Sequence, residues 1–325
     1  MKKKFLFLLI LAVLVGCAEA PLYKTTKSTT MMGTKIDITI LNLDYDDAGT
    51  AIQAAFDEIK RIEDMMSNTL PESLVYELND KGIVKDVPDE FFKMIRNSFK
   101  YGELSEGSFD ITVQPILDLY TYTFGEEGRP PTDEEIKETK KLVNYNLITI
   151  RIRDIEFKKT GMSITLGGIA KGYAIDKAVE VLEEQGIKNA LVNAGGDMRA
   201  LGDKNGKPWS IALQNPRDKE DYITIIELNG NAVATSGDYE RYYDDEKKFH
   251  HIVDPRTGFS ATELISVTIV TDKAVDADAL ATSVFVLGKE DGLNLVENTK
   301  NTEALIITKD KEIIKSSGFD ALTNI

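Results

Sequence analysis

Cysteine is almost missing from this chain of 325 residues: it occurs once, at Cys17. No internal disulfide can form, so the fold must be held by its apolar core. Histidine is nearly as scarce, with His250 and His251 the only two. Basic charge is short as well, with 39 Lys and Arg against 54 Asp and Glu and a net charge of −15. A chain this acidic excludes nucleic acid as a partner, because phosphate backbones demand a basic face. It also repels a free anionic nucleotide at long range. A phosphate ligand would therefore need positive charge supplied locally, by a divalent cation, a lysine, an arginine or helix N-termini. The chain holds no internal repeat, no low-complexity block and no second long apolar run after the N-terminal one. The G-x-x-x-x-G-K-[ST] spacing of a P-loop is absent too.

What is present begins with Lys2, Lys3 and Lys4, followed by an apolar run over 5–15. That run is too short to span a bilayer, which takes about 20 residues. It closes on Leu14-Val15-Gly16-Cys17. Residues 1–16 read as a lipoprotein signal peptide, with small residues ahead of the cysteine that a signal peptidase exposes for lipidation. Cys17 is the expected lipidation site, and 17–30, with its Thr, Ser and Lys, the expected lipidated tether. Two acyl chains anchor stably where one binds marginally, at about 0.8 kcal/mol per buried CH₂. The expected location is the cell membrane, lipid-anchored on the extracytoplasmic face.

Residues 31–325 are enough for a large core or two lobes. Residues 35–41 alternate, with Ile36, Ile38 and Ile40 on one face, as a strand does. Asp46 or Asp47 caps a helix to about Met66, whose stripe is Ile52, Ala55, Phe56, Ile59 and Ile62. Residues 67–73 form a loop, and Pro88 opens a helix carrying Phe91, Phe92, Ile95 and Phe99. Thr132 and Glu135 make a capping box for a helix over 133–142. Strands are expected at 148–152, 163–166, 190–193, 198–201, 209–213 and 222–228. A helix over 170–185 closes at Gly186. Asn229-Gly230 is a hairpin turn. A buried strand over 265–270 precedes a helix over 275–287, and a last hairpin turns near Lys309-Asp310. Antiparallel hairpins with interspersed helices make an α+β fold: mixed, largely antiparallel sheets with helices in two closely packed lobes.

Three polar segments, far apart in the chain, together suit a metal-bound diphosphate. The first is T-L-G-G-I-A-K-G-Y-A-I-D over 165–176. Gly167 and Gly168 let backbone approach a ligand, and the helix that follows offers free N–H groups with Lys171 in its first turn. The alternative is an ordinary strand-to-helix turn with a surface lysine. The second is D-A-D-A-L-A-T-S over 276–283. Asp278 and Thr282 are four apart on one helix face and offer hard oxygen donors for Mg²⁺. The alternative is Asp276 as a helix cap and Asp278 as a solvated acid. The third is H-H-I-V-D-P-R-T-G over 250–258. One histidine of a strand points in and one out, and the inward one, with Asp254 and Arg256, can orient or deprotonate a nucleophile. The alternative is a structural turn with Arg256 paired to Asp254. Asn193-Ala194-Gly195-Gly196-Asp197 and Thr235-Ser236-Gly237-Asp238 are further polar loops at strand ends.

Taken in order, these segments with T-M-M-G-T at Thr30, G-S-F-D at Gly107, V-N-A-G-G-D and A-T-S-G-D-Y closely resemble the ApbE family of FAD:protein FMN transferases. The resemblance covers nearly all of 31–325, which is then the flavin transferase catalytic domain. It implies Mg²⁺-dependent cleavage of the FAD diphosphate, transfer of FMN to a Thr or Ser hydroxyl of an acceptor protein, and release of AMP. It puts Met32, Thr69, Ser108, Phe109, Asp110, Thr165, Lys171 and Val253 at FAD-contacting positions. Gly168 (through its carbonyl), Asp278 and Thr282 fall at metal positions, with Ala281 beside them. His251 falls at the histidine that activates the acceptor hydroxyl, with Lys171 offsetting charge on the diphosphate. An unperturbed histidine titrates near pH 6.5, so a neutral ring is expected at pH 7.

Two positions depart from the family pattern. The M-S-T-Y loop reads Met66-Ser67-Asn68-Thr69 here, so Thr69 stands where a tyrosine would lie on the flavin nucleotide. An aromatic pair contributes about 0.5–1.5 kcal/mol beyond burial, so its loss loosens FAD or wets the site. Thr165 stands where many relatives carry an aspartate. The alternatives to a transferase are a Mg²⁺-dependent FAD pyrophosphatase giving FMN and AMP, and a non-catalytic flavin-binding lipoprotein.

Overall fold

A computed structural model describes residues 23–244 and 248–323. The expected signal peptide, Cys17 and the start of the expected tether lie outside the described residues. Residues 24–30, expected in the tether, are instead part of strand β1 (Lys24–Met31). It pairs antiparallel with β2 (Thr34–Leu41) along its whole length. Its Thr-rich sequence suits a half-exposed strand, which polarity alone disguised as a linker.

After β2 the chain forms α1 (Tyr45–Met66), then α2 (Leu74–Lys81), β3 (Ile83–Val84), α3 (Asp89–Leu104), α4 (Gln114–Gly125), α5 (Asp133–Thr139), β4 (Ile148–Arg151) and β5 (Asp154–Phe157). The three short strands pair in the order β3-β5-β4, and with α2 to α5 they build the smaller lobe. α6 (Ala170–Glu184) returns the chain to β6 (Ala190–Ala194) and β7 (Asp197–Leu201). β8 (Trp209–Asn215) and β9 (Asp218–Leu228) make a separate two-stranded ribbon. The remaining elements are β10 (Ala232–Gly237), β11 (Leu264–Thr271), α7 (Ala274–Leu287), α8 (Lys289–Glu297), β12 (Glu303–Thr308) and β13 (Ile313–Lys315).

The main sheet runs β1-β2-β6-β7-β10-β11-β12-β13, with every neighbouring pair antiparallel. One face carries α6, which packs between α1 and α7. Ile36, Ile38, Ile40, Val267, Ile269 and Ile306 point into that layer, and its core runs on without a break into the smaller lobe. The other face is covered by the ribbon, where Trp209, Ile211 and Ile226 meet Ile265, Leu305 and Ile307. All eight residues of β11 are buried because both faces of the sheet are covered. Among the described residues, no helix is long and apolar enough to cross a membrane.

Several local expectations change. The cap of α1 is Asp44, whose carboxylate accepts from the N–H groups of Asp46 and Asp47 at 3.0 and 3.1 Å. Asp46 and Asp47 themselves sit in the first turn. The Thr132–Glu135 capping box forms as the spacing predicts, but α5 ends at Thr139 and a 3₁₀ turn continues to Leu142. Residues 163–166 are not a strand. Their partner is a side chain: Asn79 accepts from Ile164 N–H at 2.7 Å and donates to its carbonyl at 2.9 Å. Asn229-Gly230 is a turn with Gly230 at φ +80°, yet not a hairpin. β9 pairs with β8, so this turn carries the chain from the ribbon to the main sheet.

Two residues of α6 fix where α7 lies. At Gly172 a Cβ would fall 2.2 Å from the Ala274 carbonyl oxygen, so only glycine permits this crossing. One turn on, Asp176 accepts from the N–H groups of Ala274 and Val275 at 2.9 and 3.0 Å. It thereby supplies the cap that α7, which starts after Lys273 with no side-chain cap of its own, lacks. Arg199 completes the set with an ion pair to Asp176 at 2.7 Å. Removing one partner of a buried pair strands the other, so Asp176→Ala is expected to cost about 3–5 kcal/mol. Urea unfolding of the variant checks this, and a loss below about 1 kcal/mol would mean that water replaces the carboxylate.

Candidate functional site

The close crossing of α6 and α7 brings the first two polar segments together. Thr165 Oγ1 accepts from Gly167 N–H at 3.1 Å and shapes the loop that enters α6. A Cβ on Gly168 would lie 3.0 Å from Thr282 Oγ1 and 3.2 Å from the Phe109 ring. The loop therefore runs hard against α7 and against the G-S-F-D segment. Ser108 is buried there and donates to the Ser283 carbonyl at 3.3 Å. On α7, Asp278 is buried and its Oδ2 accepts from Gly172 N–H at 2.9 Å. Thr282, one turn on, lies 3.3 Å from the Ser236 hydroxyl. Thr165, Gly168, Lys171, Phe109, Asp278 and Thr282 thus converge as expected.

Asp197, which spacing did not single out, joins them. Its Oδ2 pairs with Lys171 Nζ at 2.9 Å, and its Oδ1 accepts from Thr235 N–H at 3.0 Å. The signal was present in the N-A-G-G-D turn. Gly195 has φ +63°, and a Cβ there would strike Thr34 Oγ1 at 2.2 Å, so the turn is built for close approach. The charges act on each other. Burial, then repulsion by Asp197, pushes the Asp278 carboxyl up to about 7, against the pull of Lys171. Burial opposes the charge on Lys171, but Asp197 and Asp278 outweigh it and hold the ammonium above its ordinary value.

The two histidines have different fates. His250 is the inward one, and it is fully engaged: its Nε2–H donates to the Ala261 carbonyl at 2.7 Å, and its Nδ1 accepts from Ile252 N–H at 3.3 Å. Its edge packs on Phe285. It therefore cannot be the base, against the expectation for the inward ring. His251 is partly exposed, and its Nδ1–H donates to the Arg241 carbonyl at 3.4 Å. A carbonyl only accepts, so the proton belongs on Nδ1 and the Nε2 lone pair is left free. Burial first, then the charges of Arg241, His250 and Lys171, lower its pKa to about 4 rather than the expected 6.5.

Other expected site residues are engaged by their own chain. The Asp110 carboxylate accepts from Thr112 N–H at 2.8 Å, Thr112 Oγ1 at 2.6 Å and Tyr145 N–H at 2.9 Å. Val253 places its side chain in a small cluster with Ile116 and Tyr120. Met32 sits at φ +52° in the β1–β2 turn, donating its N–H to Glu63 at 2.6 Å. Thr69 is exposed, with its hydroxyl 3.0 Å from that of Ser67. Arg256 forks onto Asp254 at 2.9 and 3.0 Å, so the D-P-R-T-G segment is a structural turn. Asp276 does not cap α7; it accepts from the Tyr101 hydroxyl.

The profile of the ApbE family matches residues 32–306. The chain belongs to the ApbE family. It is 31% identical to an FAD:protein FMN transferase of Vibrio cholerae, over 94% of this chain and 95% of that one. A Haemophilus influenzae protein of the same name is also 31% identical, over 97% of both chains. Among solved structures, the ApbE protein of Thermotoga maritima superposes with a TM-score of 0.86 at 35% identity, covering 93% of this chain and 100% of that one. The flavin transferase ApbE of Vibrio cholerae superposes with a TM-score of 0.79 at 30% identity, covering 93% and 100%.

The contrast between the histidines is measurable in stability. His250→Ala opens a cavity and unpairs the Ala261 carbonyl, for an expected loss of about 2–4 kcal/mol. His251→Ala should cost less, about 0.5–1.5 kcal/mol, the loss of one hydrogen bond from a partly exposed ring. Equal losses in thermal or urea denaturation would contradict this assignment.

Proposed function

We propose that this protein transfers FMN from FAD to a Thr or Ser hydroxyl of an acceptor protein and releases AMP. The observation that carries the reading is the set Lys171, Asp197, Asp278 and Thr282 around the glycine-framed start of α6. In a chain of net charge −15, this is where a lysine is held beside a glycine loop for an anion; the free N–H groups expected at the start of α6 are taken, those of Ala170 and Tyr173 by the Leu166 and Ile169 carbonyls and that of Gly172 by Asp278. Family membership and the names of the relatives support the same activity.

The residues present fit a divalent cation. Asp278 is a buried carboxylate beside a hydroxyl and a glycine loop, and a cation would relieve both its desolvation and its repulsion by Asp197. Among the described residues no three His, Cys, Asp or Glu side chains cluster for a metal, so side chains alone would leave Mg²⁺ short of ligands. That ion keeps waters and takes phosphate oxygens in place of protein ligands. The Gly168 carbonyl, Asp278 and Thr282 would hold it. When bound, it supplies Lewis-acid charge to the diphosphate.

His251 takes the proton of the acceptor hydroxyl at Nε2. The hydroxyl oxygen then forms its bond to the FMN phosphorus as the bond to AMP breaks. Lys171 offsets charge on the diphosphate, since positioning and electrostatics carry most of phosphoryl transfer. One observation favours a competing outcome. Thr69 is exposed and offers no ring to the nucleotide, so water has easier entry, and hydrolysis to FMN and AMP becomes the side reaction. The lipid on Cys17 belongs to this proposal as well: it would hold the enzyme at the extracytoplasmic face, beside acceptors of the same compartment.

Incubation with FAD and Mg²⁺, with and without an acceptor protein, tests the activity through AMP, free FMN and covalent flavin. Transfer requires covalent flavin in step with AMP; AMP and free FMN regardless of acceptor would make the protein a hydrolase. Asp278→Ala, or EDTA on the wild type, is expected to abolish AMP release while the fold persists. Full activity in either would remove the metal from the reading. His251→Ala should bind FAD yet lose flavinylation by about 10²–10⁴-fold, the usual weight of a general base. The base form of a ring whose pKa lies at about 4 is complete from pH 6 to 8 and is lost as pH falls through that value. The rate should therefore be flat across pH 6–8 with respect to this group. A limb near pH 6.5 that disappears in His251→Ala would overturn the depressed value. Cys17→Ser should release the protein from membranes without loss of catalysis, and continued sedimentation with the membrane fraction would argue against the anchor.

A further inference from the structure

Asp197 presents a physical puzzle. It is buried, and it pairs with Lys171, the residue next to the Gly172 whose N–H binds the buried Asp278. Two carboxylates held together out of water destabilise a fold, and a buried ion pair seldom repays its desolvation. An asparagine could still accept from Thr235 N–H, so the backbone bond does not explain the charge. Among the described residues, the charge has one ion-pair partner, Lys171.

Among the described residues, Lys171 is ion-paired to Asp197 and not to Asp278. Among the same residues, Asp278 has one hydrogen bond, from Gly172 N–H to Oδ2. The two acids therefore divide the positive charge between them. Thr235 N–H fixes Asp197 on one side, and the next residue, Ser236, meets Thr282 on the other. The ion pair is thus tied to the same strand that touches the hydroxyl beside Asp278.

We propose that Asp197 is a positioning residue that holds the Lys171 ammonium away from Asp278 and so keeps the Asp278 carboxylate free for a divalent cation. The inference rests on the metal reading given above. Without the Asp197 charge, the Lys171 ammonium is left to turn to the buried Asp278 carboxylate held by the adjacent Gly172 N–H, and an ammonium and a metal ion then compete for one carboxylate.

Direct Mn²⁺ binding to the FAD-free protein, read by electron paramagnetic resonance, tests this apart from activity. Asp197→Asn should weaken Mn²⁺ by about 10–100-fold, the usual effect of losing a group that orients a metal ligand. Asp197→Glu keeps the charge and should stay closer to the wild type than Asp197→Asn does. Lys171→Met alone should leave affinity within about threefold, since the lysine is already engaged, and Lys171→Met added to Asp197→Asn should restore binding. The metal-free Asp197→Asn protein should keep the wild-type circular dichroism, so that a lost site is not read as lost folding. Unchanged Mn²⁺ affinity in Asp197→Asn overturns the proposal, as does a double variant as weak as the single one. A marked gain in Lys171→Met alone would show a general field effect instead of a held lysine. A wild type that binds no Mn²⁺ would sink the metal reading itself, and this role with it.

Discussion

The crossing of α6 and α7 is the contact on which the rest of the site depends. Gly172 lets the two helices approach until its Cα faces the Ala274 carbonyl, and its N–H reaches the Asp278 carboxylate. Asp176, one turn further along α6, caps α7 through two backbone N–H groups. The same short stretch of α6 thus sets the spacing of the helices, the start of α7 and the orientation of Asp278. The close approach itself is backbone against backbone, so no side-chain rotamer can relax it without moving a whole helix.

Electrostatics then follows from that packing. The chain is acidic overall, and its site collects two buried carboxylates and one lysine, with the Gly172 N–H of α6 already given to Asp278. Burial amplifies every one of these interactions. It drives Asp278 toward its neutral form and His251 toward its own, so the site without ligand is short of positive charge on one side and rich in proton acceptor on the other. An arrangement of this kind is expected where a cation and an anionic substrate complete the charge balance.

Much of this was legible in the chain. The stripe of α1, the Thr132–Glu135 capping box, the helix after Ala274 and the i, i+4 pair Asp278 and Thr282 follow from periodicity and local chemistry, and all appear in place. The convergence of Gly168, Lys171 and Asp278 was legible through the family resemblance, since residues a hundred apart carry no spacing rule between them. Other features were hidden for physical reasons. β1 is polar and edge-exposed, so it resembles a linker until its partner is known. Residues 163–166 have strand-like composition, but the Asn79 side chain takes the place of a neighbouring strand. The Asn229-Gly230 turn is locally correct, yet which strands it joins depends on the ribbon packing elsewhere.

The sequence by itself determined the elements whose hydrogen bonds and apolar faces are local: the helices with stripes and caps, the alternating strands, the glycine turns and the hard-oxygen pair on α7. Tertiary structure decided everything that requires a partner distant in the chain. It made His250 a core residue and left the Nε2 of His251 free, although the two are neighbours of identical chemistry. It turned Asp254 and Arg256 into a turn clasp and brought Asp197 from a loop into the site. Burial and through-space charge set these roles, and both depend on which segments pack together rather than on the residue itself.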